Sequence, residues 1–156
     1  MLTTEKSAIQ SIDIQKEVEI NAPLNVAFAA LLEQLGPANQ TPDGAPLPMK
    51  LEPWPGGRWY RDLGDQHGHL WGHVQVIKPN TLLEIVGPMF MSYAVASHAQ
   101  YRLTENDRGV TLSLRHQAIG MILPEHRDGV DMGWSSWLQR IAKAAESTHH
   151  PKPNRK

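Results

Sequence analysis

Residues 95–118 read VASHAQYRLTENDRGVTLSLRHQA, and the reading of this stretch decides the fold. In its first half Ala99, Tyr101 and Leu103 share one side of a two-residue alternation, with His98, Gln100 and Arg102 on the other. That is the period of a strand with one buried face. After Asn106-Asp107-Arg108-Gly109, all residues with turn chemistry, the alternation resumes as Val110, Leu112, Leu114, His116 and Ala118. Two strands joined by so few residues must be antiparallel, because a parallel pair needs a crossover of about a dozen residues or more.

Upstream the pattern repeats. Strand-like runs at 58–63, 70–77 and 81–86 are separated by Gly64-Asp65, Lys78-Pro79-Asn80 and Gly87-Pro88, which extends the hairpin into an antiparallel meander. Earlier still, residues 14–20 alternate Ile14, Lys16, Val18 and Ile20 against Gln15, Glu17 and Glu19, another strand. Pro23 then opens an amphipathic helix over 23–35, with Leu24, Phe28, Leu31, Leu32 and Leu35 at spacings of three and four, stopped by Gly36-Pro37. Residues 37–55 hold six of the twelve prolines and predict an irregular loop around one short strand at 49–52. Downstream, 124–146 predicts a long helix, with Gly129 as an expected point of disturbance. Its apolar stripe is Trp134, Trp137, Leu138, Ile141, Ala142 and Ala145, and Ser135, Gln139, Arg140 and Lys143 are expected to face away.

The chain has 156 residues, enough for one domain with a real core, and no cysteine, so disulfide scaffolds, thiolate metal sites and a cysteine nucleophile are excluded. A net charge of −1 supplies no general attraction to nucleic acid or anionic lipid. Glu5, Lys6, Asp13, Lys16 and Glu17 break up the first twenty residues, so neither a secretory signal nor a membrane span is expected, and the expected location is the cytoplasm. The reading divides the chain into a polar lead at 1–13, a single domain at 14–146 and a disordered tail at 147–156. An α+β protein in this order must bury one sheet face, and only the last helix is long and apolar enough to cover it. The antiparallel sheet is therefore expected to curl around that helix, leaving a pocket where the two splay apart.

These residues resemble the START-like, or SRPBCC, superfamily, with the helix-grip fold of the birch pollen allergen, and within it homologues of the activator of heat-shock-protein ATPase. The resemblance is carried by Val18-Glu19-Ile20-Asn21-Ala22-Pro23 with Val26 and Leu31, by Pro55-Gly56-Gly57-Arg58-Trp59, and by Gly72-His73-Val74 leading to Lys78-Pro79. It continues through Gly109-Val110-Thr111-Leu112 with Leu114 and His116, and ends at Gly133-Trp134 with Leu138 and Ile141. One departure stands out: family members often carry a tryptophan pair after the first helix, and here the Pro-rich stretch 37–48 replaces it and is expected to rebuild the pocket rim. The resemblance implies a sheet of about seven strands gripping the last helix around a cavity for small apolar guests such as lipids, polyketides or aromatics. It implies no cofactor and no particular chemistry, since the superfamily holds binders, cyclases and hydrolases. The eukaryotic activator contacts its chaperone through a tandem arrangement that a lone domain lacks.

Several side chains are candidates for a site. His67, His69, Trp71 and His73 share one strand face and neighbouring histidines two apart can chelate a metal. If Leu70, Val74 and Val76 point inward, those histidines face solvent and hold none, unless a bulge at Gly68 or Gly72 reverses the parity. His116 lies on the buried face of its strand, where it is a general-base candidate, a polar hook for a ligand carbonyl, or a core histidine satisfied by a neighbour such as Tyr101. Trp59 and Trp134 are candidate cavity walls, and Leu138 adjoins Trp134 on the helix stripe. Met91 and Met121, with Met89, suit a pocket mouth or a gap-filling core role. Glu52 with Arg58, and Arg61-Asp62, read as solvated ion pairs, and Glu84 as outward-facing. Three functions follow: a binding module for a small, largely apolar molecule with Trp59, Met91, Tyr101, His116, Met121, Trp134 and Leu138 around it; a cyclase or hydrolase using His116 as base; or a co-chaperone-like interaction domain with a collapsed cavity.

Overall fold

The structure, a computed structural model, describes residues 8–149. Seven strands form one antiparallel sheet: β1 (Gln10–Ile20), β2 (Lys50–Leu51), β3 (Arg58–Gly64), β4 (His67–Lys78), β5 (Leu82–Val86), β6 (Val95–Asn106) and β7 (Gly109–Gly120). Their order across the sheet is β1-β7-β6-β5-β4-β3-β2. Helix α1 (Leu24–Leu35) follows β1, and α2 (Pro124–His149) ends the described chain. The sheet curves around α2, so the expected α+β helix-grip architecture is the one observed. Strand β1 begins four residues before the run read from the sequence and thereby buries Ile12; α2 reaches His149, three residues into the stretch assigned to the tail. The rest of that tail and residues 1–7 lie outside the described residues.

The hairpin that decides the fold has the predicted parity. Ala99, Tyr101 and Leu103 on β6 and Val110, Leu112, Leu114, His116 and Ala118 on β7 are all buried, and Ala99 pairs with His116. Ala99, Tyr101, Leu103, Val110, Leu112 and Leu114 meet Phe28, Leu31 and Leu35 of α1 and Trp137, Leu138, Ile141 and Ala145 of α2 in one core. A smaller cluster of Ile12, Met91, Ala118 and Ile122 closes the sheet end near the start of α2.

Helix α2 is continuous through Gly129. A Cβ placed at Gly129 meets nothing within 4 Å, and one at Gly133 meets only Pro42 Cγ at 3.8 Å. Glycine in a helix interior costs stability relative to alanine through backbone entropy. Gly129→Ala is therefore expected to raise the unfolding free energy by about 0.5–1 kcal/mol, read as a higher denaturant midpoint at unchanged slope. A lower midpoint would mean that the methyl group finds no room.

Candidate functional site

Strand β4 shows why the site could not be placed by alternation alone. Trp59 pairs with Gly72 and Tyr60 with Leu70, so Trp71 is the extra residue of a bulge. The bulge flips the parity: on its far side Val74 is buried and His73 exposed, while before it His69 and Trp71 turn inward and Leu70 is 44% exposed. Gly72 permits this, because a Cβ there would lie 2.6 Å from Val86 O. The loop after β5 locks the bulge, since Met89 N donates to Trp71 O at 2.8 Å. The expected common face of His67, His69 and His73 is thus split. Among the described residues no three histidines or carboxylates come together as a metal site.

Between α2 and the sheet lies a cavity of about 460 Å³. Four tryptophans wall it: Trp59 from β3, Trp71 from β4, and Trp134 and Trp137 from α2. Their rings meet edge to face, Trp59 against Trp71 at 5.2 Å and Trp134 against Trp137 at 5.3 Å between centroids. A buried indole N–H needs an acceptor, and here the protein supplies all four. Trp59 Nε1 donates to Leu35 O at 2.7 Å and Trp137 Nε1 to Gln34 O at 3.2 Å, two terminal carbonyls of α1 that the helix itself leaves unpaired. Trp71 Nε1 donates to His69 Nδ1 at 3.1 Å and Trp134 Nε1 to His116 Nδ1 at 3.0 Å. With their polar atoms consumed, the rings present carbon to the cavity.

The Pro-rich stretch does rebuild a rim. Leu47 N donates to Asn39 O and Asn39 Nδ2 to Leu47 O, and Gln40 bridges to Pro46, so the loop folds back on itself over α2. Gln40, Thr41, Pro42 and Leu47 line one side of the cavity. At the other end Phe90 stands between Trp71 and His126, and Tyr93 stacks on His126 with a hydrogen bond of 2.7 Å from its hydroxyl oxygen to Nδ1.

Of the residues singled out in the sequence as cavity walls, polar hooks or pocket mouth, Trp59, Met89, His116 and Trp134 line this cavity. The other four do not. Met91 is fully buried in the Ile12 cluster, Met121 sits beyond β7 with its N–H on Ala94 O, and Leu138 packs into the core on the sheet side of α2. Tyr101 is fully buried behind Trp134 and Trp137, its hydroxyl without a partner, and burial raises its pKa well above the phenol range. It does not bond His116, whose partner is Trp134. Lining residues missed by alternation are His69 and Trp71, turned in by the bulge, Phe90 on the irregular segment after β5, His126 in the first turn of α2, and Arg140. Expected to face away, Arg140 instead points its guanidinium at the loop, Nη2 donating to Gln40 O at 3.2 Å. Arg61 lines the cavity too, leaving Asp62 to Lys50 at 2.8 Å. Glu52 holds Arg58 at 2.7 Å on the surface, and Glu84 meets His98 at 2.7 Å.

The geometry fixes the state of His116. An indole N–H only donates, so Nδ1 is the lone-pair nitrogen and Nε2 carries the hydrogen. Burial, with a smaller contribution from nearby His98, lowers its pKa to about 4. A neutral imidazole whose lone pair is occupied has no free basic nitrogen. The general-base candidate is corrected accordingly: His116 can donate a hydrogen bond at Nε2 but has no site to receive a proton without breaking the Trp134 bond.

A seven-stranded antiparallel sheet gripping a C-terminal helix around such a cavity defines a START-like, helix-grip protein. The chain belongs to the family described as Activator of Hsp90 ATPase homolog 1-like protein, whose family model matches residues 21–146. Among curated proteins none is similar enough to count as a relative. Among solved structures, protein CV1439 from Chromobacterium violaceum is similar with a TM-score of 0.67 and 17% identity, over 86% of this chain and 97% of that one. Protein MLL2253 from Mesorhizobium loti gives a TM-score of 0.64 at 17% identity, over 88% of this chain and 98% of that one. The di-domain ARO/CYC StfQ from the steffimycin biosynthetic pathway gives 0.61 at 12% identity, over 88% of this chain and 51% of that one. Likeness at these identities concerns the fold. Among the described residues no helix is long and apolar enough to cross a membrane.

Proposed function

We propose that this protein binds a small, largely apolar molecule of aromatic type in the cavity between α2 and the sheet. The observation that carries this reading is the set of four indole walls whose N–H groups are all satisfied within the protein. Such walls offer stacking and edge contacts and ask nothing polar in return, while a few polar groups at fixed points orient the guest. The volume of about 460 Å³ is within the range of small-molecule sites. A protein-interaction domain with a closed interior fits this open cavity less well. The same architecture in StfQ, a di-domain ARO/CYC, supports the choice of an aromatic guest. Catalysis through His116 has no support in the geometry, because its lone pair is committed to Trp134.

Phenylnaphthylamine, an uncharged aromatic fluorophore, provides the test. It is expected to bind one molecule per chain, quenching tryptophan fluorescence by energy transfer. Gly133→Leu places a branched side chain into the cavity beside Pro42 while improving helix propensity, so it should remove binding without lowering the unfolding midpoint. Probe uptake unaffected by Gly133→Leu would place the dye elsewhere and refute the reading.

A further inference from the structure

Two arginines of this chain show what the Nε/Nη2 edge of a guanidinium takes here. Arg58 holds Glu52 through Nε and Nη2 at 2.7 and 3.0 Å, and Arg115 holds Asp13 in the same way at 3.3 and 3.1 Å. Arg140 also lines the cavity, and among the described residues no carboxylate meets its guanidinium. Its Nη1 donates to Ser136 Oγ at 3.3 Å and its Nη2 to Gln40 O at 3.2 Å, both neutral and both long, and its buried Nε has no acceptor. Burial lowers the Arg140 pKa, as expected of a cation whose surroundings do not compensate it, yet a guanidinium stays charged at neutral pH. The nearest acid on the cavity wall does not answer it. Glu125 is the one carboxylate among the described lining residues, and it precedes Arg140 by about 22 Å along the axis of α2.

A second donor is left over in the same cavity. His116 is 1% exposed, lines the cavity, and its Nε2–H has no partner. Trp134, which holds the other nitrogen, lies about 9 Å along the helix axis from Arg140, with Trp137 between them. One half-buried guanidinium and one buried neutral donor therefore stand at separate points along a single aromatic wall. Orphaned buried donors are costly, more so when charged, and an incoming acceptor recovers that cost.

We propose that the guest is an anionic aromatic molecule, its acidic group seated on Arg140 and a carbonyl or hydroxyl oxygen elsewhere on its ring system accepting from His116 Nε2. This rests on the binding function proposed above and names the chemical class of the guest. Carboxylate, sulfonate or ionised phenol would satisfy the fork, since each offers an acceptor oxygen with negative charge.

Anilinonaphthalene sulfonate carries the phenylnaphthylamine skeleton plus one acidic group, so the two dyes isolate the charge. The sulfonate is expected to bind the protein at least about tenfold more tightly than its uncharged parent, the gain of a charge-assisted hydrogen bond at a half-buried guanidinium. Arg140→Met should erase that ratio by weakening the sulfonate alone, leaving the parent's affinity within about twofold. If Arg140→Met fails to fold, Arg140→Lys serves, keeping the charge and losing the fork, and should lower the ratio at least about threefold. An equal affinity for both dyes, or a ratio that survives these substitutions, overturns the anchor. Parent binding that Gly133→Leu removes, with no advantage for the sulfonate, would sink the anchor and leave the binding function standing. Failure of both dyes to enter the cavity would refute both.

Discussion

Trp59→Ala is expected to destabilise the protein by about 4 kcal/mol, the cost of emptying a packed indole site together with a lost hydrogen bond. Trp59 is 2% exposed, its ring meets Trp71 at 5.2 Å, and its Nε1 donates to Leu35 O at 2.7 Å. That last bond makes the residue more than filler. The end of α1 leaves carbonyls without helical partners, and each has a specific donor: Gly36 N serves Leu32 and Glu33, Trp137 serves Gln34, and Trp59 serves Leu35. Removing the indole takes the donor from Leu35 O and a wall from the cavity, so the cavity wall and the helix end fail together. Trp59→Phe keeps most of the ring and loses the donor, and should cost about 1–2 kcal/mol.

Trp54 supplies the control within the same chain, being 54% exposed and outside the cavity, so Trp54→Ala should change stability by no more than about 0.5 kcal/mol. Chemical denaturation of the three variants at neutral pH measures the series. Comparable losses in Trp59→Ala and Trp54→Ala would sink the account of Trp59 as a wall that also caps α1.

The difference between these two tryptophans marks how far the sequence can be read. Alternation over 95–118 placed His116, Tyr101 and their neighbours on the buried face, because both strands of that hairpin are regular and one residue of slip would bury charges such as Arg102 and Arg115. Around β4 the same logic broke down at Trp71, where one unpaired residue reverses every side chain on its far side. Gly72 was the visible signal for that bulge. Arg140 was misplaced for another reason: it flanks the apolar stripe of α2, and its direction is set by a loop carbonyl at Gln40, a hundred residues away in the chain. Met91 lies in the loop between β5 and β6 and Met121 just after β7, where the sequence does not say which cluster lies beneath. The family resemblance carried the architecture correctly, and the Pro-rich stretch flagged as its departure is the part of the chain that shapes one side of the cavity.

A second large effect is expected from pH. His116 has its pKa lowered to about 4 in the folded protein, mainly by burial, against 6.5 for an unperturbed imidazole. Between these values the unfolded chain takes up a proton at this position and the folded one does not. Unfolding free energy therefore falls as pH drops from about 6.5 to about 4, by about 3 kcal/mol in total from this group, and below that the folded form is protonated as well and the loss stops. Above 6.5 the imidazole is neutral in both states and contributes no slope. The protonated form would also have to give up the Trp134 bond or hold a charge in an apolar wall, so acid should loosen the cavity as well as the fold.

His116→Asn isolates the effect, because the amide oxygen can stand near Nδ1 and accept from Trp134 Nε1 without titrating. Between denaturant midpoints taken at half-unit steps from pH 7.5 to 4, the stability difference should stay constant above about 6.5 and then shift, the native protein losing about 3 kcal/mol relative to the variant by pH 4. Exposed carboxylates such as Glu52, held at a pKa of about 2 by Arg58, titrate alike in both proteins and cancel in the difference. Parallel curves for the two proteins would show that His116 is protonated as readily in the fold as in water, and with that would go its standing as a neutral ring with a fixed Nε2–H donor.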